Sequence, residues 1–194
     1  MNKIVTLRDS TTVHIRPLSN KDIERSTTFF NRLPAEDRQY FRMDVTKPGF
    51  AKRRIENMAT LPIHRLIAVL DKEIIAEGAL EREERDWKSH VGEIRLIVSN
   101  PFKRKGLGML MARELYFLAV SLKLDEIIVK IMRPQSSAIS IFKQLGFRTQ
   151  TTIPDYVTDA TGKRQDLIIM RCPLNDFFKE LEEHLKDSDW QRFR

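Results

Sequence analysis

One cysteine in 194 residues, Cys172, excludes an internal disulfide and any metal cluster built on cysteine. The four histidines, His14, His64, His90 and His184, are scattered and show no HExxH or comparable pairing, so no metal site is expected. No apolar run approaches the length of a membrane span, and Met1-Asn-Lys-Ile lacks the apolar centre of a signal peptide, so the expectation is a soluble, cytoplasmic protein with no membrane partner. The sequence has no Gly-x-Ser-x-Gly elbow for serine hydrolysis. It also lacks the Gly-Lys-Ser or Gly-Lys-Thr of a nucleotide-hydrolysing loop, and the third glycine and downstream acid of a dinucleotide fold. The net charge is +7, but the basic residues are dispersed, without an RNA-binding signature or an interleaved aromatic stripe. Nucleic acid is therefore not the expected partner, and a polyanionic cofactor accounts for the charge more economically.

A chain with 41% hydrophobic and 31% charged residues suits one globular domain with a sizeable core. Residues 4–7 and 13–18 alternate in the strand manner around Asp9-Ser10 and read as an opening hairpin. Ser19 caps a helix that ends at Leu33, and Pro34 opens a second one over Ala35 to Met43. Residues 46–62 read as a loop with a short helix. Leu66–Leu70 and Ile74–Leu80 form a second hairpin, and Glu81 to Lys88 a charged connecting loop. Glu126–Met132 reads as a central strand, Ser136 to Leu145 as a helix stopped by Gly146, Phe147 as the start of another strand, and Asp166–Cys172 as the last. Phe177 to Arg194 suggests an amphipathic helix that packs on the domain or offers a homodimer surface. The expected organisation is thus one domain over residues 1–175 and a helical tail over 176–194.

The densest information lies in residues 91–124. A strand-like run, Val91 to Val98, leads into Ser-Asn-Pro-Phe-Lys-Arg-Lys-Gly-Leu-Gly108 and then into a helix marked by Leu107, Leu110, Met111, Leu115, Leu118, Ala119 and Leu122 at 3.6-residue spacing. Lys103, Arg104 and Lys105 bring positive charge to a turn whose Gly106 and Gly108 lack Cβ atoms, so backbone N–H groups at the helix start can approach an anion.

The run from Pro101 to Leu110 resembles the acyl-CoA pyrophosphate loop of the GNAT superfamily of N-acetyltransferases, with Lys103 at a position more often Arg or Gln. Ile15-Arg-Pro-Leu18 and Ala138 to Phe147 extend the resemblance over most of the chain. The opening segment, Leu7 to Thr11 with Ile15-Arg-Pro17, looks most like bacterial lysine acetyltransferases of protein substrates. The resemblance implies a single α/β domain, a mixed and mostly antiparallel sheet of about seven strands flanked by helices, and transfer of an acetyl group from acetyl-CoA to an amine in a ternary complex. It implies a protein lysine as acceptor, with a small-molecule amine or a non-catalytic acyl-CoA-binding module as alternatives. By position, Glu93 matches the family's general base, and Leu96, Ile97 and Val98 match the segment that holds the pantetheine arm. Lys103, Arg104, Lys105, Gly106, Leu107, Gly108 and Met109 match the pyrophosphate loop, and Gln135 stands where many relatives place an asparagine on the cofactor. Phe142 occupies the place of the usual general acid, a tyrosine, and is expected at the cofactor; it cannot donate a proton, so the acid is missing, water-mediated or elsewhere, with Tyr156 read as structural before it is read as an acid.

A free glutamate titrates near ~4.3 and needs burial to become a good base at neutral pH. Strand alternation puts Arg95 on the face of Glu93, and such a partner acts the other way, so base and structural ion pair are both open readings of Glu93. Glu77 and Glu81 are fallback bases through water. The acidic loop with Glu81, Glu83, Glu84 and Asp86 has two open readings, an attractor of a cationic lysine and a solvated acidic loop. Cys172, in an apolar terminal strand, reads as a packing residue rather than an acyl carrier. Cys172→Ala is therefore expected to leave turnover nearly intact, and mass spectrometry during turnover to show no acetylated protein; an adduct on Cys172 that acceptor removes would overturn direct transfer.

Overall fold

The computed structural model describes residues 2–82 and 87–174. The chain opens with β1 (Lys3–Thr6) and β2 (Thr12–Pro17), followed by α1 (Ile23–Arg32), α2 (Ala35–Arg38) and α3 (Phe50–Glu56). Next come β3 (Ile63–Leu70), β4 (Glu73–Arg82), β5 (Val91–Val98), α4 (Leu107–Ser121), β6 (Glu126–Met132), α5 (Ser136–Gln144), β7 (Arg148–Thr158) and β8 (Arg164–Pro173). Eight strands form one sheet in the order β1-β2-β3-β4-β5-β6-β8-β7. Every neighbouring pair is antiparallel except β5 and β6. A parallel pair needs a crossover, and α4 supplies it.

The two faces are covered by different helices. On one, α4 buries Leu107, Met111, Ala112, Leu115 and Ala119 against Ile75, Ala76, Leu80, Ile94, Ile127 and Val129. Burying each Leu or Met contributes about 1.5–3 kcal/mol. The helix comes so close that a Cβ on Gly78 would lie 2.7 Å from Leu115 Cδ1; the sheet is bare there so that the helix can seat. On the other face, α1 and α3 bring Phe29, Phe30, Phe50 and Ile55 over Ile67 and Ile74, with Phe30 edge-on to both Phe29 and Phe50.

Several local expectations shift. The helix after Pro34 stops at Arg38, because Tyr40 and Phe41 donate to Asp37 and Arg38, three residues back. That tighter turn brings Phe41 edge-on to Phe30. Glu81 and Arg82 belong to β4, paired with Glu93 and Gly92, and are not loop. Glu83, Glu84 and Asp86, and the helix expected over 177–194, lie outside the described residues. The terminal hairpin of β7 and β8 is longer than expected, with Asp159 organising its turn: its carboxylate accepts from the N–H groups of Thr161 and Lys163, and these contacts, led by the Thr161 hydroxyl, hold its pKa down to about 2.

Ser19 does start the first helical region, through a 3₁₀ turn over Asn20–Asp22. Its N–H and hydroxyl both donate to Asp22 Oδ2, at 3.1 and 2.8 Å. Asp22 is fully buried and takes the Arg16 guanidinium in a two-pronged contact of 2.8 and 2.6 Å, which ties β2 to α1. The Arg16 hydrogen bonds, opposed by burial and helped by Ser19, hold the Asp22 carboxyl well below the usual carboxylate range. A depressed folded pKa contributes stability that is present above the unfolded value, near ~3.9, and is lost as pH falls. Asp22→Asn is expected to destabilise the domain by about 2 kcal/mol at pH 7, within the range for hydrogen bonds to charged groups. In urea titrations the gap from the parent should narrow below about pH 4; a gap independent of pH would show that the charge of Asp22 is not what matters.

Candidate active site

The parallel ladder between β5 and β6 is short. It pairs Val91 with Glu126, Gly92 with Ile127 and Glu93 with Ile128, and ends there, although β5 continues to Val98 and β6 to Met132. Beyond Glu93 the strands separate, β5 remaining on β4 and β6 on β8. Backbone directions follow from two bonds that frame the strand. Ser99 N–H donates to Ile75 O of β4, while His90 O accepts from Asp125 N–H on the β6 side. Even positions of β5 therefore turn their peptide groups toward β6, and those of Leu96 and Val98 point into the widening gap, where no strand of the described residues meets them. Three expected residues, Leu96, Ile97 and Val98, thus form one wall of an open wedge with Glu93 at its apex.

Above the wedge stands the loop into α4. Gly106 caps the helix in the left-handed region at φ +89°, a conformation only glycine adopts without strain, and Arg104 sits there too at φ +63°. The three basic side chains are in different states. Lys103 is ion-paired with Asp37, and Lys105 with Asp9 at 2.8 Å. That bond to Lys105 is the first cause holding the Asp9 carboxyl down to about 2. Arg104 is exposed and has no ion-pair partner among the described residues. Arg8, in the turn between β1 and β2, donates its backbone N–H to Lys105 O at 3.1 Å and lays its side chain across Gly106. The opening hairpin therefore buttresses the cradle, a role not visible in sequence. Leu107 is a core residue and Met109 is half-buried. Gly108 gives room for helix packing: a Cβ there would lie 2.9 Å from Ile141 Cδ1 of α5.

On the face opposite α4, the wedge apex joins a continuous ionic network. Arg54 meets Glu77 at 2.7 Å, and Arg65 bridges Glu77 at 3.5 Å and Glu81 at 3.3 Å. Arg95 bridges Glu81 at 3.0 Å and Glu93 at 3.4 Å, while Arg42 and Lys130 also meet Glu93, the latter at 2.8 Å. Among the described residues the network holds five cations and three carboxylates, a surplus of two positive charges. Its inner end is dry: Arg65 and Glu77 are buried, burial pushes the Arg65 pKa down, and Arg54 stacks on the rings of Phe30 and Phe50 at 4.7 and 5.0 Å. Its outer end is wet, with the side chains of Arg42, Arg95 and Lys130 substantially exposed. Burial pushes the Glu93 carboxyl up, but the Lys130 hydrogen bond and the charges of Arg42, Arg95 and Lys130 outweigh it, leaving Glu93 below its ordinary range.

The Acetyltransferase (GNAT) family model matches residues 27–147, which span the wedge, the cradle and the network. The chain belongs to the GNAT acetyltransferase family. Among curated proteins it is 25% identical to the L-amino acid N-acetyltransferase AaaT of Escherichia coli over 103 residues, 52% of this chain and 64% of that protein, so it spans just under two thirds of that relative's length. The fold matches the GNAT domain of S. lividans PAT with a TM-score of 0.74 at 16% identity, covering 89% of this chain and 97% of that one. It also matches the ribosomal-protein-S5-alanine acetyltransferase of Vibrio fischeri with a TM-score of 0.74 at 16% identity, covering 84% and 94%. GNAT enzymes are acetyltransferases that use acetyl-CoA as co-substrate. The residues present fit that molecule: a glycine-capped 15-residue helix with an unpaired arginine beside it offers a place for phosphates, and the unpaired edge of β5 offers hydrogen bonds to an amide-bearing arm.

Two further residues expected at the cofactor prove to hold the framework together. Gln135 accepts the Met132 N–H on its side-chain oxygen at 3.0 Å, tying the start of α5 to the end of β6. Phe142 is buried with its ring edge-on to Phe147 at 5.0 Å. Tyr156 is 60% exposed on β7, at the sheet edge beyond β8, and is not brought to the apex. Arg42, Arg65 and Lys130 were not singled out in the sequence. Lys130 had a usable signal, since it lies two residues beyond the position that pairs with Glu93; Arg42 had none, because it arrives through an irregular turn. Among the cradle residues, Arg104→Glu is expected to raise the Kd for CoA about tenfold or more, as charge-assisted contacts contribute about 1.5–3 kcal/mol. Calorimetry on the folded variant checks this, and unchanged affinity would remove Arg104 from the site. Gly108→Val should lower thermal stability through Ile141 as well as any effect on CoA.

Proposed function

We propose that this GNAT enzyme acetylates a small-molecule primary amine by direct transfer within a ternary complex, with Glu93 as the proton acceptor. The observation that carries the reading is Glu93 itself, the last paired residue before β5 and β6 part and the carboxylate at the apex of the wedge. Glu93 takes a proton from the acceptor's ammonium, and the amine nitrogen so freed attacks the thioester carbonyl carbon; the C–N bond forms and the C–S bond breaks. The second nitrogen proton leaves to water, and the departing thiolate is protonated from water, Phe142 having no proton to give. Peptide groups of Leu96 and Val98 stand on the wedge wall where charge would build on the carbonyl oxygen.

The acceptor expected from the opening segment, a protein lysine, fits the apex less well. A lysine side chain is a bare cation, and the network it would meet already carries two surplus positive charges. Two of the proteins it is similar to act, by name, on an L-amino acid and on an alanine of a ribosomal protein, neither of them a lysine side chain. A panel of amines and proteins incubated with acetyl-CoA, followed by thiol release, tests the assignment; efficient acetylation of lysines in a cell lysate and of no small amine would overturn it. For the base, Glu93→Gln is expected to lower kcat by about 10²- to 10⁴-fold with the Kd for CoA unchanged. A retained rate with reduced thermal stability would make Glu93 a member of the ionic network only.

A further inference from the structure

We propose that the acceptor carries a carboxylate beside its amine, that this carboxylate seats on Arg42, Arg95 and Lys130, and that its arrival is what frees Glu93 to take the proton. This rests on the acetyltransferase reading above and adds to it both a substrate class and a reason for it.

The difficulty that the proposal resolves lies in the geometry of Glu93. Its side chain is 14% exposed and both oxygens are engaged, Oε1 by Arg42 and by Arg95 at 3.4 Å, Oε2 by Lys130 at 2.8 Å. A carboxylate held by three cations is a weak base, since each stabilises its charged form. The groups facing it come from every element around the apex: Arg42 from the segment between α2 and α3, Arg95 from β5, Lys130 from β6, and Glu81 from β4 beyond Arg95. Among the described residues Glu81 is the carboxylate nearest in this chain of contacts, and it is shared with Arg65.

The three cations have capacity to spare. Their side chains are 47%, 41% and 33% exposed, and Arg42 touches Glu93 through Nη2 alone, leaving the rest of its fork for a second anion. A carboxylate placed there satisfies those donors and offsets the surplus of two positive charges. It also competes with Glu93 for Arg42, Arg95 and Lys130, and its negative charge raises the proton affinity of Glu93 at the moment an ammonium stands beside it. A zwitterion brings both charges together. A bare amine brings only the one the network repels. The acceptor class that fits is an amino acid, and Arg42, Arg95 and Lys130 are specificity-determining and positioning residues that act through Glu93.

The test compares L-amino acids with their carboxamides and decarboxylated amines, each at saturating acetyl-CoA over a range of pH to correct for the acceptor's own ionisation. Loss of the carboxylate is expected to lower kcat about 100-fold, the lower range for loss of a general base, and not merely to raise KM, as loss of a simple binding contact would. Free acetate added with the decarboxylated amine should restore part of kcat. With the unaltered enzyme and CoA, ¹³C-NMR titration of the Glu93 carboxyl should show its pKa rising when the amino acid is added. Equal kcat for acid and amine, with no rescue by acetate and no movement of the Glu93 titration, would overturn the inference while leaving the acetyltransferase reading intact. Acetylation of none of these amines would remove the reading on which it rests.

Discussion

The site depends on one broken ladder. Two strands that run parallel for three residue pairs and then part leave a sheet with an internal edge, an arrangement soluble proteins avoid because unpaired peptide groups cost free energy unless something else meets them. Here the edge is held open from both sides: β4 keeps β5 from Gly92 to Val98 and β8 keeps β6 from Glu126 to Met132. Neither strand can relax toward the other without breaking a longer ladder. The wedge is thus a built feature of the frame, ready for a ligand that brings its own hydrogen-bonding groups.

Everything chemical is arranged around that opening. The crossover that the parallel pair requires begins at the top of the wedge, so the helix start and its glycine cap stand where anionic groups of a ligand in the wedge would lie. The apex meets the face covered by α1 and α3 rather than the face covered by α4, and there the ionic network runs from the dry pocket under Arg54 to the exposed ends of Arg42 and Lys130. Its inner part is structural: with Arg65 and Glu77 buried, removing one partner leaves a charge stranded in a poorly solvated place. Its outer part is exposed enough to exchange partners. One network therefore combines a rigid root and a responsive tip.

The elements far from the wedge serve it indirectly. The turn between β1 and β2 reaches the cradle through Arg8 and Asp9, and Asp37 reaches the same loop from the segment after α1. That segment also carries Arg42, so the basic loop before α4 and the apex are linked through one short stretch of chain. The Arg16–Asp22 contact anchors its start by fixing α1 to β2.

Residues 91–122 were legible almost whole, since a strand, a basic glycine turn and an apolar-periodic helix are all local patterns, and each residue's part in them is set within one or two turns of chain. The strands and helices elsewhere were found for the same reason, with errors confined to ends such as Arg38 and Arg82, where tertiary contacts decide whether a local pattern continues. Glu93 was visible as a candidate, and so was its pairing with Arg95, because strand alternation is local. Its other two partners were not. Lys130 lies 37 residues away and Arg42 lies 51 away in the other direction, and only the packing of the α2–α3 segment and the pairing of β6 with β5 bring them to one carboxylate. The sequence by itself determined the fold class and the loop that marks the family; the tertiary structure alone decided the charge state of the apex, because electrostatic environment is a sum over neighbours in space and local periodicity carries no record of them.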